Sequence, residues 1–334
     1  MADIERFDNI VEAIRHLEPN HILGTCLERD GVAVKHSRYE LMTMPDGRIA
    51  ALSFSGNFTF YRGENKCYPL CKASLYRIPG RDDRIEALLK SYDFMVFLES
   101  LPEVRAFVEG SGYYVPWALA QHYEFATPMI DLTNELAVAA FFATHYYDRV
   151  SRQYYLVKDG IGRIRGANMI LDPELAGPLK PIGMQPFARP ERQDGYAFWI
   201  PESADFTEYS FAVEFVQDAR VNLRLKTAMM GGADYFFPNE QLSQMASVIK
   251  NTGAVTSMAI EAMLKDIAEG NSYITPEVTQ DDMDRVIRER SLFVVDAPVI
   301  CPQAMPHRTN AFMNEGRLIV RPAYRRGEVL PVPG

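Results

Sequence analysis

The sequence predicts an α+β protein, and three observations support this fold class. Apolar residues recur at helical spacing in residues 7–17 and 83–98. Four short runs in the middle of the chain, "QYYLV", "ANMIL", "GYAFWI" and "FAVEFV", have the composition of strands. Two further helical patterns follow them, one after "FFPN" and one from residue 260. Helices and strands in this order indicate α+β.

The first hundred residues predict a helix, a hairpin and then more helices. Phe7, Ile10, Ile14 and Leu17 share one helical face. The runs "RIAALSF" and "FTFY" read as two strands joined by a Gly-Asn turn at residues 56 and 57. Residues 80–125 are expected to be mostly helical, with breaks at Pro102 and at the "GSG" of residues 110–112.

The clearest helix follows "IDLTNE". Thr133 or Asn134 can cap its N-terminus, and Glu135 complements the positive end of the helix dipole. Its body from Leu136 to Tyr146 is apolar almost all round, so a buried helix is expected.

The C-terminal part predicts two helices and two strands. Ile260, Met263, Leu264 and Ile267 share a helical face, a helix follows around residues 281–289, and "SLFVV" and "RLIV" resemble strands. We found no Gly/Ser linker. The expected organisation is therefore a central domain over residues 56–250, with segments 1–55 and 251–334 packed on it.

Composition restricts the function classes. The net charge of −9 argues against a protein that coats DNA non-specifically or lies on an anionic membrane, so any anion site must be local. The four cysteines are irregularly spaced and the N-terminus lacks a signal-peptide pattern, which predicts a cytoplasmic protein with reduced thiols. The longest apolar run, "LAVAAFFA", is well short of the roughly 20 residues that a bilayer span needs, so no membrane segment is expected.

Common catalytic motifs are missing from the sequence. His122 and His145 are not surrounded by the ligand spacings of a metal site. The chain has no nucleophile elbow, no phosphate loop of the GxxxxGK[ST] type and no dinucleotide GxGxxG. These absences argue against the commonest hydrolase, NTPase and Rossmann interpretations.

Four short segments instead contain polar residues within otherwise apolar stretches. They are "FYRGEN" from residue 60, "ALAQHYEFATPMIDLTNELAVAAFFA" from 118, "ARPERQDGYAFW" from 188 and "YFFPNEQLSQMA" from 235. This ordered set resembles the FRG domain, a family named for its Phe-Arg-Gly motif. The family is found mainly in bacteria and phages and is often linked to conflict or defence systems. The residues in register with its motifs are Tyr61-Arg62-Gly63, "SLYR" at 74–77, Gln121, His122, Tyr123, Asp131, Thr133, Phe142-Ala143, Arg189, Gln193 and Gly195.

The chain departs from the family pattern at two notable positions. Glu124 stands where the family usually has Gly, and Met129 stands where it usually has Arg, so that one expected positive charge is missing. The resemblance covers about residues 56–250.

The order of the motifs is also similar to the ADP-ribosyltransferase fold, which implies a mixed-sheet core with a helical insertion and helical flanking segments. The resemblance implies NAD as a substrate, bound by Tyr61, Arg62, Gly63 and Thr133. It implies catalytic roles for Gln193, Asp131 and His122. An amide cannot act as a general base, so Gln193 is expected to bind ribose hydroxyls while Asp131 or Glu64 supplies a carboxylate.

Each of these residues also has a structural interpretation. Arg62 can pair with Glu64 or Asp131 and hold the fold. Asp131 and Thr133 can cap the helix that follows them. His122 can be a hydrogen-bonded core histidine, and Gln193 can be a turn residue.

Two function classes therefore remain open. The first is an NAD-dependent ADP-ribosyltransferase or NAD glycohydrolase that acts as a bacterial or phage toxin or defence effector, with a protein or nucleic acid as the acceptor. The second is a non-catalytic module that binds a nucleotide, a nucleic acid or a partner protein. The Met129 position and the missing glutamate favour the second class.

Overall fold

The structure is a computed structural model, and it describes residues 4–18, 39–43, 49–55, 59–111, 114–148, 151, 153–169, 177–183, 187–228, 236–237, 241–270, 278–296 and 318–324. The strands in chain order are β1 (Glu5–Phe7), β2 (Tyr39–Thr43), β3 (Ile49–Ser55), β4 (Thr59–Glu64), β5 (Met129–Thr133), β6 (His145–Asp148), β7 (Gln153–Leu156), β8 (Ile161–Asn168), β9 (Leu179–Pro181), β10 (Gly195–Trp199), β11 (Phe211–Val216), β12 (Ala254–Thr256), β13 (Phe293–Val295) and β14 (Leu318–Tyr324). The α-helices are α1 (Ile10–Leu17), α2 (Arg81–Ser100), α3 (Pro102–Ser111), α4 (Pro116–His122), α5 (Leu136–Thr144), α6 (Ala188–Arg192), α7 (Ala219–Ala228), α8 (Gln241–Asn251), α9 (Ser257–Ala268) and α10 (Gln280–Glu289).

A seven-stranded mixed sheet lies at the centre, with the strand order β1-β11-β8-β4-β5-β10-β9. Strand β1 runs parallel to β11, and every other neighbouring pair in this sheet is antiparallel. Smaller sheets join β14, β3 and β2, then β12 and β13, then β6 and β7. The predicted α+β class, a mixed sheet with several helices, is confirmed.

Buried side chains form two clusters around this sheet. The larger cluster includes Phe60 and side chains from α2, α4, α8, α9 and α10. The smaller cluster includes Tyr61 and side chains from α1 and α5. Phe60 and Tyr61 are consecutive in β4, and successive strand residues point to opposite faces, so the sheet carries core on both sides.

The predicted helices between residues 80 and 125 are confirmed as α2, α3 and α4. Ile85, Leu88, Leu89, Tyr92 and Met95 of α2 are all buried, as their spacing predicts. Helix α1 begins after Asn9, whose side chain accepts hydrogen bonds from the two backbone amides Val11 N and Glu12 N. Helices α9 and α10 and strand β13 also form where the sequence predicts them.

The buried helix α5 is confirmed, but its boundaries differ from those expected. Residues 129–133 form strand β5, and the N-cap is Glu135, whose side chain accepts from the Ala137 amide at 3.2 Å. The helix ends at Thr144 because β6 begins at His145. Periodicity alone does not distinguish the end of an apolar helix from the beginning of a short strand that follows it directly.

The structure corrects two strand predictions. Strands β3 and β4 form as expected but do not form a hairpin, since β3 pairs with β2 and β14 while β4 pairs with β8 and β5. The turn predicted at residues 56 and 57 lies outside the described residues. Of the predicted "ANMIL" strand, Ala167 and Asn168 form the end of β8, which begins six residues earlier at Ile161, while residues 170 and 171 lie outside the described residues.

The terminal segments contact the central sheet and its helices. Strand β1 adds to the edge of the sheet beside β11, and Ile10 and Ile14 of α1 are buried in the same cluster as α5. Buried Met263 of α9 and Met283 of α10 belong to the cluster that contains α2. The domain boundaries at residues 56 and 250 stay a prediction. Within the described residues, no helix combines the length and apolar character that crossing a membrane requires.

Candidate functional site

One cavity of about 210 Å³ brings together residues that are widely separated along the chain. All seven residues that the sequence predicts as a site line it: Tyr61, Arg62, Gly63, His122, Asp131, Thr133 and Gln193. Their roles stay predictions, but their convergence is a property of the fold.

Strand register explains why these residues meet. Tyr61 of β4 pairs with Thr133 of β5, and Thr133 in turn pairs with Gly195 of β10. Three motif positions from distant parts of the chain are therefore neighbours across three adjacent strands. Gln193, two residues before Gly195, reaches the cavity from the start of β10.

Gly63 allows the helix α5 to pack directly on β4. A Cβ atom at this position would overlap the carbonyl oxygen of Ala139 and lie 2.6 Å from the backbone nitrogen of Ala143. Because both atoms belong to the helix backbone, no side-chain rotation can relieve the contact. In the Arg62-Gly63 pair, Arg62 therefore places a positive charge at the cavity. Gly63 allows the backbones of β4 and α5 to come into close contact.

Arg62 lies half-buried at the cavity wall. Its Nη1 donates to the backbone carbonyl of Asp131 at 3.0 Å, and its Nε has no hydrogen-bond partner among the described residues. Burial opposes the charge of the guanidinium, but the negative charges of the nearby Cys71 thiolate, which forms only at high pH, and of the Glu64 and Asp131 carboxylates more than offset it and raise the pKa of Arg62. Arg62 therefore keeps its positive charge, and its Nε–H group can donate a hydrogen bond to a ligand.

The expected pairing of Arg62 with Glu64 is not found, and Glu64 is not among the residues that line the cavity. The Glu64 carboxylate instead accepts from Arg165 Nε at 3.1 Å and lies 3.8 Å from Arg163 Nη1. These two arginines are on β8, directly beside β4. Of the two carboxylates proposed for the site, Asp131 is therefore the one placed at the cavity.

The ion pairs of Glu64 with Arg165 and Arg163 belong to a row of charged side chains that crosses four neighbouring strands of the sheet. Arg163 Nη2 also donates to Glu214 Oε1 at 2.7 Å, and Arg6 Nη2 donates to Glu214 Oε2 at 2.6 Å. Cys67 donates its thiol proton to the same carboxylate at 3.3 Å. Burial would raise the pKa of Glu214, but these donors lower it to about 2. Cys67 and Cys71 are free thiols, and the other two cysteines lie outside the described residues.

His122 and Asp131 face each other in the cavity. His122 Nε2 is 3.9 Å from Asp131 Oδ1, and neither atom has a hydrogen-bond partner among the described residues. Burial lowers the pKa of His122, and the positive charge of Arg189 adds to the effect, although Asp131 opposes it. His122 therefore presents a neutral imidazole, and the expectation that it is a fully hydrogen-bonded core histidine does not hold.

Thr133, Tyr61 and Gln193 already have partners in the protein. Thr133 Oγ1 accepts from the Glu135 amide at 3.0 Å, which orders the turn into α5, and the Tyr61 hydroxyl donates to Glu18 at 2.9 Å. Gln193 Nε2 donates to the Phe236 carbonyl at 3.1 Å. Gln193 lies in the turn before β10, as its structural interpretation predicted, and its side chain is buried and tethered there.

The lining of the cavity also includes a group of aromatic side chains, here called the aromatic wall, that the sequence analysis did not assign to the site, although it named Phe142 among the motif residues. The residues are Phe142, Tyr147, Tyr154 and Phe237. Tyr154 and Phe237 stack with ring centroids 4.4 Å apart, and burial holds the pKa of Tyr154 well above its usual value. Two features of the sequence could have indicated these aromatic residues: the strand-like run "QYYL" and the paired phenylalanines at residues 236 and 237.

Arg189 connects the aromatic wall to His122. Its guanidinium lies over the rings of Tyr123 and Phe237, and its Nη1 donates to the His122 carbonyl at 2.6 Å. Its Nη2 donates to the Ser243 hydroxyl at 2.7 Å. This arginine is buried, and its two Nη groups hold the site together, while its Nε, like that of Arg62, has no hydrogen-bond partner among the described residues.

Glu124, another lining residue that the sequence did not predict for the site, has an unusual backbone. Its φ is +67°, the left-handed region that favours glycine. The FRG family usually has Gly at this position, and the backbone geometry gives the physical reason. In this chain the side chain instead lies at the cavity, 3.6 Å from Lys250 Nζ.

The comparison with known families identifies the class of this region. The sequence model of the family described as "FRG domain" matches residues 57–152, the segment that carries Arg62, His122, Asp131 and Thr133. The resemblance to the FRG domain expected from the motifs is therefore confirmed for this part of the chain. Comparison with curated proteins and with solved structures finds no match.

Proposed function

We propose that the cavity binds NAD and breaks its nicotinamide–ribose bond, so that the protein acts as an ADP-ribosyltransferase-like effector. One observation carries the proposal. Three buried polar atoms without a hydrogen-bond partner among the described residues, Arg62 Nε, His122 Nε2 and Asp131 Oδ1, belong to side chains that line one cavity with an aromatic wall. Buried polar atoms are rarely left unpaired unless a ligand or water completes them.

The two walls fit the two parts of a nicotinamide nucleotide. The aromatic wall offers flat surfaces on which a planar ring can stack. The polar wall offers His122 and Asp131 to ribose hydroxyls and Arg62 to a phosphate. A cavity of about 210 Å³ is smaller than the roughly 300–1,000 Å³ of typical ligand pockets, so we place only the nicotinamide half of NAD inside it.

The phosphates would then lie toward the mouth of the cavity. Arg77, from the "SLYR" motif, is exposed, and burial of part of its side chain and the charge of Arg62 lower its pKa. Two cations close enough to repel each other are a suitable environment for a diphosphate, which would neutralise both.

The chemistry needs few groups from the protein. The bond from ribose C1′ to the nicotinamide nitrogen breaks with its electron pair going to nicotinamide, which leaves neutral. The Asp131 carboxylate stabilises the positive charge that develops on the ribose. Because His122 is neutral, it adds no opposing positive charge and can bind a hydroxyl. Water or an acceptor then bonds to C1′ and loses a proton.

The alternative is a module that binds a nucleotide without cleaving it. The tether of Gln193 Nε2 to the Phe236 carbonyl favours it, because this side chain occupies the position of a catalytic glutamate in the resemblance. The match to the FRG domain supports neither function over the other, and a role in bacterial or phage defence is part of the proposal.

Release of nicotinamide separates the two functions. We expect wild-type protein incubated with nicotinamide-labelled NAD to release the label, and Asp131→Asn to reduce the rate at least about a hundredfold. Asp159→Asn, at an exposed aspartate, serves as the matched control and is expected to behave like wild type. If wild-type protein binds NAD but releases no nicotinamide, with or without protein and nucleic-acid acceptors, the catalytic proposal fails.

A further inference from the structure

Helix α4 ends in a turn whose backbone suits glycine but carries a glutamate. The Glu124 amide donates to the Gln121 carbonyl at 2.9 Å. The Phe125 amide donates to the Ala120 carbonyl at 3.0 Å, and these two hydrogen bonds together form a Schellman motif. The residue in the left-handed conformation of this motif is usually glycine, because a Cβ atom is strained there. Glu124 occupies that position, with a φ of +67°.

The charge of Glu124 is unfavourable in the same place. The C-terminal end of a helix carries a partial negative charge, so a carboxylate next to it is repelled. Lys250 offsets part of this repulsion, since its Nζ lies 3.6 Å from the Glu124 carboxylate. The same ammonium group donates to the Tyr123 carbonyl at 3.1 Å and lies over the Phe125 ring. Both charged side chains are partly exposed, so their ion pair is weak, and local stability favours glycine at this position.

The Glu124 side chain has one property that a structural role does not require, because it lines the cavity. The side chain is 44% exposed, so it is in contact with both the cavity and the solvent. It also lies near the aromatic wall: burial raises the pKa of Tyr154, Arg189 opposes the effect, and the negative charge of Glu124 adds to it. A strained residue at a cavity points to a function for its side chain.

The proposed cleavage of NAD leaves one proton without a destination. After nicotinamide has left, water or another acceptor bonds to ribose C1′ and must lose a proton. Among the described residues that line the cavity, only Asp131 and Glu124 are carboxylates. Asp131 is assigned to the positive charge on the ribose, and the amide of Gln193 cannot act as a base. The His122 side chain is only 3% exposed, so an acceptor that enters from solvent meets the Glu124 carboxylate first.

We propose that Glu124 is the general base that activates the acceptor. As a lone pair of the acceptor oxygen forms the bond to C1′, the O–H bond breaks and the proton moves to a carboxylate oxygen of Glu124. The proton then passes to solvent, and nothing is oxidised or reduced. Lys250 acts as a positioning residue that holds the carboxylate at the cavity. This inference rests on the proposed function, because an acceptor is needed only if NAD is cleaved.

The products formed from NAD with and without sodium azide test this role. Azide has no proton to lose, so its attack on C1′ needs no general base. Glu124→Gln keeps the size of the side chain but cannot accept a proton, and we expect it to form ADP-ribose about a hundredfold more slowly than wild type. We expect azide to restore turnover of this variant, with ADP-ribosyl azide identified by mass spectrometry. Azide is not expected to restore Asp131→Asn, which impairs the cleavage itself.

Two further variants control for charge and for folding. Glu269→Gln is the matched control, since Glu269 also follows the end of a helix and pairs with a lysine, Lys265, at 3.9 Å, but does not line the cavity. It is expected to form ADP-ribose like wild type. Glu124→Gly is expected to lose ADP-ribose formation while it stays folded, because glycine suits the backbone there. Each of these variants is expected to keep the rise in thermal midpoint that NAD causes.

The results distinguish failure of this inference from failure of the proposed function. Wild-type protein that releases no nicotinamide under any of these conditions overturns both. Release by wild type, together with an unchanged rate of ADP-ribose formation in folded Glu124→Gln, overturns only the role of Glu124. A loss that azide does not restore also overturns this role, because the carboxylate would then act on NAD binding or on bond cleavage and not on the acceptor.

Discussion

His122 Nε2 and Asp131 Oδ1 lie 3.9 Å apart, too far for a hydrogen bond and close enough for one hydroxyl group to contact both. Both atoms are buried and unpaired among the described residues. Leaving one buried polar group without a hydrogen bond costs about 1–3 kcal/mol. Two such groups that face each other are therefore best explained by a ligand group that binds between them.

This geometry predicts that the two side chains act together on a ligand. We expect His122→Ala and Asp131→Asn each to weaken NAD binding, and the double variant to lose less than the sum of the two. The coupling is expected to lie in the range of about 0.5–3 kcal/mol that interacting residues show. Isothermal titration calorimetry on the four proteins of the cycle measures it. Strictly additive losses would mean that the two residues contact the ligand independently.

Gly63 is expected to tolerate no side chain. In Gly63→Ala, the new methyl group must displace α5, because it meets the helix backbone at Ala139 and Ala143. We expect a loss of more than about 2 kcal/mol in the free energy of unfolding. Gly253→Ala is the matched control, since nothing lies within 4 Å of a Cβ atom there. Urea unfolding compares the two, and equal stability of both variants would show that α5 shifts without cost.

Glu124→Gly is expected to stabilise the protein. The residue has a φ of +67°, where a non-glycine residue is strained by about 1 kcal/mol, and its ion pair with Lys250 is partly exposed and weak. The gain should appear as a higher thermal midpoint. Ser291→Gly, at a φ of +53° and outside the cavity, is expected to behave similarly and controls for the backbone effect. A lower midpoint for Glu124→Gly alone would show that its side chain stabilises the site.

Stability is expected to fall in acid because of Glu214. The folded-state pKa is about 2, below the unfolded value, so its contribution is fully present above about pH 5 and disappears as the pH falls through the folded pKa. The contribution amounts to about 3 kcal/mol. Urea unfolding between about pH 6 and pH 3 should show a shallower loss of stability for Glu214→Gln than for wild type. Parallel pH profiles for the two proteins would contradict the role of the charge row.

The sequence predicted most elements and the residues of the polar wall. Helix α2 was predictable because apolar residues recur in it at helical spacing, although residues 88–95 are in fact buried all round. The cavity residues were identified because motif order is preserved along the chain. The strands β4, β5 and β10 that bring these motifs together were not predicted as neighbours, because register depends on contacts between distant segments. The false hairpin between β3 and β4 has the same cause.

The aromatic wall and the charge row escaped prediction for another reason. Tyr147 and Tyr154 alternate with exposed tyrosines, so the sequence shows a strand but not which face meets a cavity. Arg6, Arg163 and Glu214 are far apart in the chain and carry no motif, and only the alignment of the three strands β1, β11 and β8 makes them neighbours. The left-handed backbone of Glu124 was likewise hidden, although the glycine usual at that position pointed to it.

The most direct test of the central claim is the change in thermal midpoint that NAD causes in wild-type protein and in Arg62→Lys. Among the described residues, Arg62 Nε has no partner and the guanidinium donates to the backbone carbonyl of Asp131, so we expect the variant to melt close to wild type without ligand. A ligand that binds only the folded state raises the midpoint, and we expect NAD at saturating concentration to raise it by several degrees for wild type. Lysine keeps the charge but loses the planar contact to phosphate, so the rise is expected to vanish in Arg62→Lys. A folded wild-type protein whose midpoint does not respond to NAD would contradict the account, and so would an equal response in the variant.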